Sequence, residues 1–259
     1  IEANAVRISF IQTRDTGKTL RETKALAMSA AGTFRYFGAV LETSDEALTV
    51  QRGDALTLSV YEPLGLVGAI TPWNSPIASD AQKVAPALAA GNAVLLKPAS
   101  WSPLVSLELA RIVEAAGLPK GLFSVLPGAG REIGNLLVDH PDIARVSFTG
   151  GTTTGRQLAR QAAEKLMPVS LELGGKSPTI VFADADLDKA VPAAANAVFA
   201  NAGRGGSPGG FSGAGHVPSL ICCSISCAVV RISTMSASFA FASRSWKNGP
   251  SYDAMPAGS

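Results

Sequence analysis

From Gly65 onward the sequence repeats one unit, in which a short apolar run is followed by a Gly- or Pro-containing turn and then by a segment with helical periodicity. The apolar runs predict strands at residues 65–71, 93–97, 122–126, 145–148, 169–173 and 178–182. The segments between them predict helices at residues 79–90, 103–116, 131–139 and 154–165. This alternation is typical of an α/β fold with a mostly parallel, right-handed, doubly wound sheet.

The segments on either side of this repeat carry other patterns. Residues 17–40 place apolar side chains at helical spacing and predict one helix. Residues 47–61 alternate apolar and polar residues around Gly53-Asp54 and predict a β-hairpin. Residues 187–199 predict a further helix, for which Asp184 is the expected N-cap.

Charge and hydrophobic patterning exclude several classes of function. The 259 residues carry a formal net charge of +2 from interspersed charges, without a basic stripe, which argues against a nucleic-acid partner. The apolar runs are too short to cross a bilayer, so no membrane partner is expected. The first residues show no export signal, and we therefore expect a cytoplasmic protein.

The cysteines and histidines are poorly spaced for metal binding. Cys222, Cys223 and Cys227 lie close together, whereas His140 and His216 lie far apart. A zinc site completed by a fourth ligand and a disulfide framework are both disfavoured alternatives. We predict that the protein has no metal site.

In a doubly wound sheet, ligands bind beyond the carboxyl ends of the strands, where this sequence has the turns TPWN, KPAS, PGAG, FTGG and ELGG. Asn74 could donate its side-chain amide to an oxyanion, or it could simply cap the following helix. Lys97 could reach a ribose or phosphate, or it could simply be solvated.

Glycines in two of these turns suggest contact with an anion. Gly128, Gly130 and Gly134 resemble, but do not match, the GxGxxG fingerprint of dinucleotide binding. Gly150 closes a strand and Gly155 lies in the first part of the next helix, which is the geometry of an anion site. A purely conformational role for these glycines is the alternative.

Glu172 lies inside an apolar run and is followed by two glycines. A carboxylate in apolar surroundings is costly unless it is hydrogen-bonded or protonated, and such surroundings produce a general base with a pKa near neutrality. The alternative is a structural carboxylate held by Lys176 or by a backbone amide. The residues alone favour neither interpretation.

Five segments in this order, EPLGLVGAITPWNSP, KVAPALAAGNAVLLKPAS, GLPKGLFSVLPGAG, HPDIARVSFTGG and LELGGKSPTIVF, resemble the aldehyde dehydrogenase superfamily. The resemblance covers roughly residues 10–203. It implies a Rossmann-like cofactor domain at 1–174, with an oligomerisation hairpin at about 43–61, and only the start of a catalytic domain at 175–203. It further implies truncation at both ends, with the first strands missing before Ile1.

The resemblance also implies an activity, which is oxidation of an aldehyde to a carboxylic acid with NADP or NAD as cofactor. Asn74 would be the oxyanion-hole amide, Lys83 a participant in proton relay, and Glu172 the general base that activates water. The family forms homo-oligomers, although this chain would lack much of the interface. The residues expected to contact the cofactor are Ile70, Trp73, Lys97, Ser100, Gly130, Gly134, Gly150, Gly151, Gly155 and Leu173.

Two cofactor positions depart from the common family pattern. Ser100 stands where many NAD-preferring members have an acidic residue, so repulsion of a 2′-phosphate is removed and NADP becomes acceptable or preferred. Gly151 stands where a serine is common, so one hydroxyl contact to the pyrophosphate is lost. We therefore expect weaker binding of the pyrophosphate.

The largest departure lies in FANAGRGG, residues 199–206, where the family has FxNxGQxC. Gly206 occupies the place of the nucleophilic cysteine and cannot form the covalent thiohemiacetal, so we expect an inactive chain. The serine-rich residues 204–259, in which Asp253 is the one acidic residue, are expected to be an aberrant, disordered tail beginning with a flexible linker.

The abrupt change of composition favours a reading-frame change or an erroneous gene prediction over a divergent native tail. Two other functions remain open from the residues. A nucleotide-binding pseudoenzyme or regulatory module would retain the sites at Lys97 and Gly150. An interaction protein would use residues 219–232 of the tail.

Overall fold

The computed structural model describes residues 1–45, 47–48, 57–175, 178–182, 184–203 and 210–213. Its strands are, in chain order, Ala47–Leu48 (β1), Leu58–Ser59 (β2), Leu66–Ile70 (β3), Ala93–Lys97 (β4), Phe123–Val125 (β5), Ile143–Gly150 (β6), Val169–Leu173 (β7), Pro178–Val181 (β8) and Gly210–Gly213 (β9). Its α-helices are Ala5–Thr16 (α1), Leu20–Glu42 (α2), Pro76–Ala89 (α3), Leu104–Ala115 (α4), Gly130–Asp139 (α5), Thr152–Glu164 (α6) and Leu187–Phe199 (α7). Short 3-10 helices occupy Glu2–Asn4 and Ala200–Gly203.

The central sheet has five parallel strands in the order β5-β4-β3-β6-β7. This confirms the predicted α/β fold with a mostly parallel sheet. The chain builds outward from β3 to β5 and then returns to the opposite side of β3 with β6, which is the strand-order reversal of a doubly wound sheet.

Helices cover both faces of the sheet, because side chains on β4 alternate between two clusters. Val94 and Leu96 pack with Val84 of α3. Leu95 packs instead against the cluster of Leu137 from α5 and Leu158 from α6. A further cluster joins the remaining helices of the first face to one another through buried residues of α1, α2, α3 and α4.

The predicted single helix at 17–40 is wrong at its start, because a helix break lies there. Gly17 caps α1 in the left-handed conformation, with φ of 71°, which suits a residue without a Cβ. Thr19 and Glu22 then form a capping box at the start of α2. Helix α1, which was not predicted from the sequence, packs against α2 and α4.

The sequence predicted the hairpin and helix α7 only in part. Strands β1 and β2 pair antiparallel, as expected for the hairpin, but its predicted turn at Gly53-Asp54 lies outside the described residues. Helix α7 has its predicted bounds, whereas its N-cap is Asp186 and not Asp184, because the Asp186 side chain accepts the N–H of Asp188 at 3.1 Å.

Strand β9 lies where the sequence predicted a flexible linker. It pairs in parallel with β8, with Pro178 opposite Gly210 and Val181 opposite Gly213. The rest of the segment 204–259, including Gly206 and the cysteines, lies outside the described residues. Among the helices that the structure describes, none has the length and apolar character needed to cross a bilayer.

Candidate active site

The predicted site residues follow the carboxyl ends of neighbouring strands. Ile70 at the end of β3 lies between Lys97 of β4 and Phe148 of β6 in register. On the other side of β6, Thr149 is opposite Glu172 and Gly150 is opposite Leu173. The turns TPWN, KPAS, FTGG and ELGG therefore share one edge of the sheet, beside the reversal of strand order between β3 and β6.

Lys97 is buried rather than solvated, so the solvated interpretation of this residue is wrong. Its side chain is 3% exposed, and its Nζ donates to the carbonyl of Pro98 at 2.7 Å. Burial lowers the pKa of Lys97, because the charged ammonium loses hydration. An anion or hydroxyl placed at this strand end would meet a fixed cation.

Ser100 links the turns that follow β4 and β5. Its exposed side chain donates from Oγ to the carbonyl of Gly128 at 2.8 Å. Gly128 is packed closely, since a Cβ there would lie 2.9 Å from Ile133. By contrast, a Cβ at Gly130 or Gly134 would have no atom within 4 Å, so packing among the described residues does not require glycine there.

Gly150, Gly151 and Gly155, around the junction of β6 and α6, differ in how closely they are packed. A Cβ at Gly150 would lie 2.5 Å from the Phe148 ring, and one at Gly155 would lie 2.4 Å from Leu173. Gly155 thus allows α6 to approach β7 closely, whereas the contact at Gly150 is with a side chain of its own strand, β6. Gly151 is the N-cap and makes no side-chain capping bond, and a Cβ added to it would meet open space, so a serine would fit.

Two tryptophans lie beside the KPAS turn. The rings of Trp73 and Trp101 are 6.2 Å apart between centroids. They line a cavity of about 180 Å³ together with Asp15 and Ser102. Ile70, predicted to line the cofactor cleft, is only 8% exposed and belongs to the core cluster beneath α5 and α6.

Lys83 connects α3 to β6, the strand that pairs with the strand carrying Glu172. Its Nζ donates to Ser147 Oγ on β6 at 3.0 Å. Burial lowers the pKa of Lys83, while the carboxylates of Glu172 and Asp80 partly oppose that shift. The Glu172 carboxylate therefore favours the charged form of Lys83, whereas burial of the ammonium opposes it.

Glu172 itself is exposed in this structure, as is the neighbouring Leu173. The apolar surroundings that the sequence suggested for this carboxylate are absent among the described residues. Lys176, the alternative partner considered for Glu172, lies outside them.

Asp80, a buried carboxyl group on α3, was not identified from the sequence. Its side chain is fully buried and accepts a hydrogen bond at Oδ2 from Ser106 of α4 at 2.6 Å. Burial raises the pKa of Asp80 to about 6, against the opposing influence of its hydrogen bonds and of Lys83. The helical spacing of Ile77, Ala81 and Val84 places Asp80 on the apolar face of α3, a signal that could have identified it. Gln82 lies off that face and is exposed.

Asn74 is not the helix cap considered as its alternative role, because α3 has Ser75 as its N-cap. The backbone carbonyl of Asn74 accepts a hydrogen bond from the ammonium of Lys18, which also donates to Ser75 Oγ at 3.3 Å. Lys18 is 1% exposed and was also missed. Gly17 and the Thr19 capping box mark the helix junction that buries it.

Within the described residues, no group of three or more His, Cys, Asp or Glu side chains could hold a metal ion. The three clustered cysteines lie outside those residues. The described edge of the sheet therefore offers lysine, amide, hydroxyl and carboxylate groups together with helix N-termini.

The sequence profile of the aldehyde dehydrogenase family matches residues 1–206. The chain belongs to the aldehyde dehydrogenase family. The match begins earlier than the roughly 10–203 expected from the motifs, so α1 is part of the family domain. It reaches Gly206, and the remaining residues lie beyond it.

Two curated dehydrogenases are similar to most of this chain. The (Z)-2-((N-methylformamido)methylene)-5-hydroxybutyrolactone dehydrogenase of Acinetobacter baylyi is 42% identical over 205 residues, which are 79% of this chain and 42% of that protein. The betaine aldehyde dehydrogenase of Bacillus subtilis is 40% identical, with the same coverage. The chain thus spans less than half the length of these relatives.

Solved structures agree in fold. An Escherichia coli NADP-dependent enzyme superposes with a TM-score of 0.79 at 38% identity, covering 82% of this chain and 45% of that one. A betaine aldehyde dehydrogenase from Staphylococcus aureus, solved in complex with NAD+, has a TM-score of 0.79 at 34% identity and covers 82% and 43%. The family match and the structural matches therefore indicate the same fold.

Proposed function

We propose that this chain is the dinucleotide-binding part of an NAD(P)-dependent aldehyde dehydrogenase, an enzyme that oxidises an aldehyde to a carboxylic acid. The observation that carries the proposal is the placement of buried Lys97 and the closely packed N-terminus of α6 at one carboxyl edge of the sheet. Membership of the family and the NADP- and NAD-linked descriptions of its structural neighbours support the same activity.

The dinucleotide would lie across that edge. The N-terminal amides of α6, reached through Gly150 and Gly155, would bind the pyrophosphate because backbone N–H groups and the helix dipole favour an anion there. Lys97 would bind the adenosine ribose from its buried position. The remaining proposed contacts are Ile70, Trp73, Ser100, Gly130, Gly134, Gly151 and Leu173.

The chemistry would be divided among three side chains. The nicotinamide, when bound, supplies the hydride acceptor. Asn74 would donate its side-chain amide to the oxygen that becomes negatively charged. Glu172 would accept a proton from water during hydrolysis, and Lys83, whose pKa is lowered and which is hydrogen-bonded to Ser147, would move protons near that carboxylate.

NADP should bind at least as well as NAD. Ser100 is exposed and neutral, and its hydroxyl is engaged with the carbonyl of Gly128. A 2′-phosphate near Ser100 would therefore meet no carboxylate from this position, whereas a glutamate would repel it.

The chain itself should not turn over, because Gly206 stands at the position of the nucleophilic cysteine and has no thiol. We attribute the altered residues 204–259 to a reading-frame change or gene-prediction error rather than to a divergent native tail. The intact Lys97 and α6 features favour a second candidate, a nucleotide-binding pseudoenzyme or regulatory module. A cytoplasmic location and homo-oligomer formation stay predictions.

Calorimetric titration of the purified chain with NADP tests the proposed binding. We expect saturable binding that Lys97→Met weakens by about ten- to a hundredfold, since a charged hydrogen bond contributes about 1.5–3 kcal/mol. Lys120→Met, at an exposed lysine, is the matched control. Absence of saturable NADP binding would contradict the proposal.

Assays of NADPH formation with short aliphatic and aromatic aldehydes test the expected inactivity. We expect the background rate for the unmodified chain and for Cys222→Ser. Turnover that depends on Cys222 would show that another thiol replaces the missing nucleophile. Saturable NADP binding without turnover would agree with both candidate functions. Regulation of a partner enzyme by this chain would then favour the pseudoenzyme or regulatory module.

A further inference from the structure

We propose that the junction between α1 and α2, residues 17–22, holds both the Asn74 turn and the Asn201 turn through two positioning residues, Lys18 and Glu22. The functional consequence rests on the proposed function, because that proposal assigns Asn74 to the oxyanion and locates the nucleophile position shortly after Asn201. Neither Lys18 nor Glu22 was identified from the sequence.

Lys18 acts on the Asn74 turn. Its ammonium donates to the Asn74 carbonyl and, at 3.3 Å, to Ser75 Oγ, although the two segments lie more than fifty residues apart in sequence. A lysine with 1% exposure is costly to bury unless its charge is well hydrogen-bonded. These contacts fix the backbone from which the Asn74 side chain projects.

Glu22 contacts the Asn201 turn with one of its two carboxylate oxygens. Oε2 accepts from the backbone N–H and the hydroxyl of Thr19, at 3.1 and 2.8 Å, which completes the capping box. Oε1 accepts the backbone N–H of Asn201 at 2.6 Å. The carboxylate therefore joins the start of α2 to the turn that follows α7.

The Asn201 turn has a backbone conformation that needs support. Asn201 has φ of 62° and Ala202 has φ of 54°, both in the left-handed region. Alanine rarely adopts this conformation, and such residues persist where surrounding contacts hold them. The hydrogen bond to Glu22 is such a contact, and it lies directly before the segment that leads to residue 206.

The two positioning residues carry opposite charges on one short segment. The hydrogen bond from Asn201 is the largest influence that lowers the pKa of Glu22, and the charge of Lys18 lowers it further. The left-handed cap at Gly17 and the Thr19 capping box fix the segment at both ends. One rigid helix junction thus sets the relative position of the two turns.

Glu22→Gln separates this role from simple helix capping. Glutamine can still close a capping box, but it has one acceptor oxygen where the carboxylate uses two. The local contact with Thr19 should be retained and the contact with Asn201 lost. Glu42→Gln, at an exposed acid on the same helix, is the matched control.

The experiment is NMR of the full chain, following the Asn201 backbone amide and the Asn74 side-chain amide. In the unmodified chain, we expect the Asn201 amide to titrate with Glu22 at a pH below the usual glutamate range. Glu22→Gln should abolish that titration and shift both amides, with a small decrease in melting temperature because one hydrogen bond to a charged group is lost. Glu42→Gln should change neither amide.

An Asn201 amide that does not respond to pH or to Glu22→Gln would overturn the proposal. A response at Asn201 without any at Asn74 would refute the shared junction. Lys18→Met adds a second test if it folds, since the Asn74 amide should then shift most. NADP titration of the same samples separates the claims: lost NADP binding with both amide responses intact would count against the proposed function alone.

Discussion

The carboxyl edge of the sheet has a buried half at β3 and β4 and an exposed half at β7. Thr71 and Lys97 on the first half, and Lys18, which contacts the turn after β3, are each at most 3% exposed. Glu172 and Leu173 on the second half are exposed. The comparison teaches that Lys18 and Lys97 belong to the folded core, whereas the proposed base, Glu172, lies on a surface.

This difference follows from packing. Helices α1, α2, α3 and α4 share one cluster of buried side chains and enclose the polar groups near β3 and β4. Strand β7 is one of the two edge strands of the five-stranded sheet, whereas β3 and β4 are interior strands. Changes in the buried half should therefore alter stability and binding together, while changes in the exposed half should alter binding or chemistry with little effect on folding.

The largest expected effect comes from a matched pair of leucines. Leu109→Ala, in the fully buried cluster, should lower the free energy of unfolding by about 2–5 kcal/mol because it leaves a cavity. Leu173→Ala, at 39% exposure, should cost less than about 1 kcal/mol. Urea denaturation of both variants checks this. Equal decreases in the free energy of unfolding would contradict the difference between the two halves.

Asp80 should make the buried half sensitive to pH. Its folded-state pKa of about 6 exceeds the ordinary 3.8, so the folded protein binds the proton more tightly and stability falls as pH rises through this range. The full shift corresponds to about 3 kcal/mol. Relative to Asp80→Asn, the unmodified chain should lose this free energy of unfolding as the pH rises from about 4 to 7.

Unfolding free energies measured against pH for the two chains check this expectation. Asp139→Asn, at an exposed acid of α5, is the control and should retain the pH dependence. A difference between the unmodified chain and Asp80→Asn that does not change with pH would show that folding does not raise the pKa of Asp80.

Ser100→Glu tests cofactor choice at the exposed surface between the turns. The new carboxylate should repel a 2′-phosphate and shift the ratio of NADP to NAD affinity toward NAD by about tenfold. Ser44→Glu, at the exposed end of α2, should leave the ratio unchanged. A several-fold preference for NAD in the unmodified chain would refute the assignment of Ser100.

Gly151→Ser should have the smallest effect. A Cβ added at this position would meet no atom within 4 Å, so the serine should fit without strain. Its hydroxyl should raise NADP affinity by about two- to fivefold, as expected for one added hydrogen bond. Calorimetry measures this change, and weaker NADP binding would contradict it.

Local sequence signals predicted the sheet well. Strands β4 and β7 have their predicted bounds, 93–97 and 169–173, because turn residues flank each apolar run. Strand β6 runs from Ile143 to Gly150 and exceeds its prediction at both ends. Pairing with both β3 and β7 extends it, and that is a property of the sheet rather than of the segment.

The site was predicted less completely. Motifs led to Lys97, Lys83 and Glu172, but their environments depend on residues distant in sequence. Lys18 is an ordinary charged residue until tertiary packing buries it, whereas the helical spacing of α3 could have indicated Asp80. The break at Gly17 could have been predicted, since a glycine followed by a threonine and, three residues later, a glutamate marks a helix end and a capping box.

The most direct test of the central claim is to map NADP binding on the full chain by NMR. We expect saturable amide shifts at the end of β4 near Lys97 and at the start of α6, around Gly150 and Gly155. We expect none at the exposed hairpin residue Leu58. Saturable shifts confined to other surfaces, or no saturable shift at all, would contradict the assignment of this edge as the dinucleotide site.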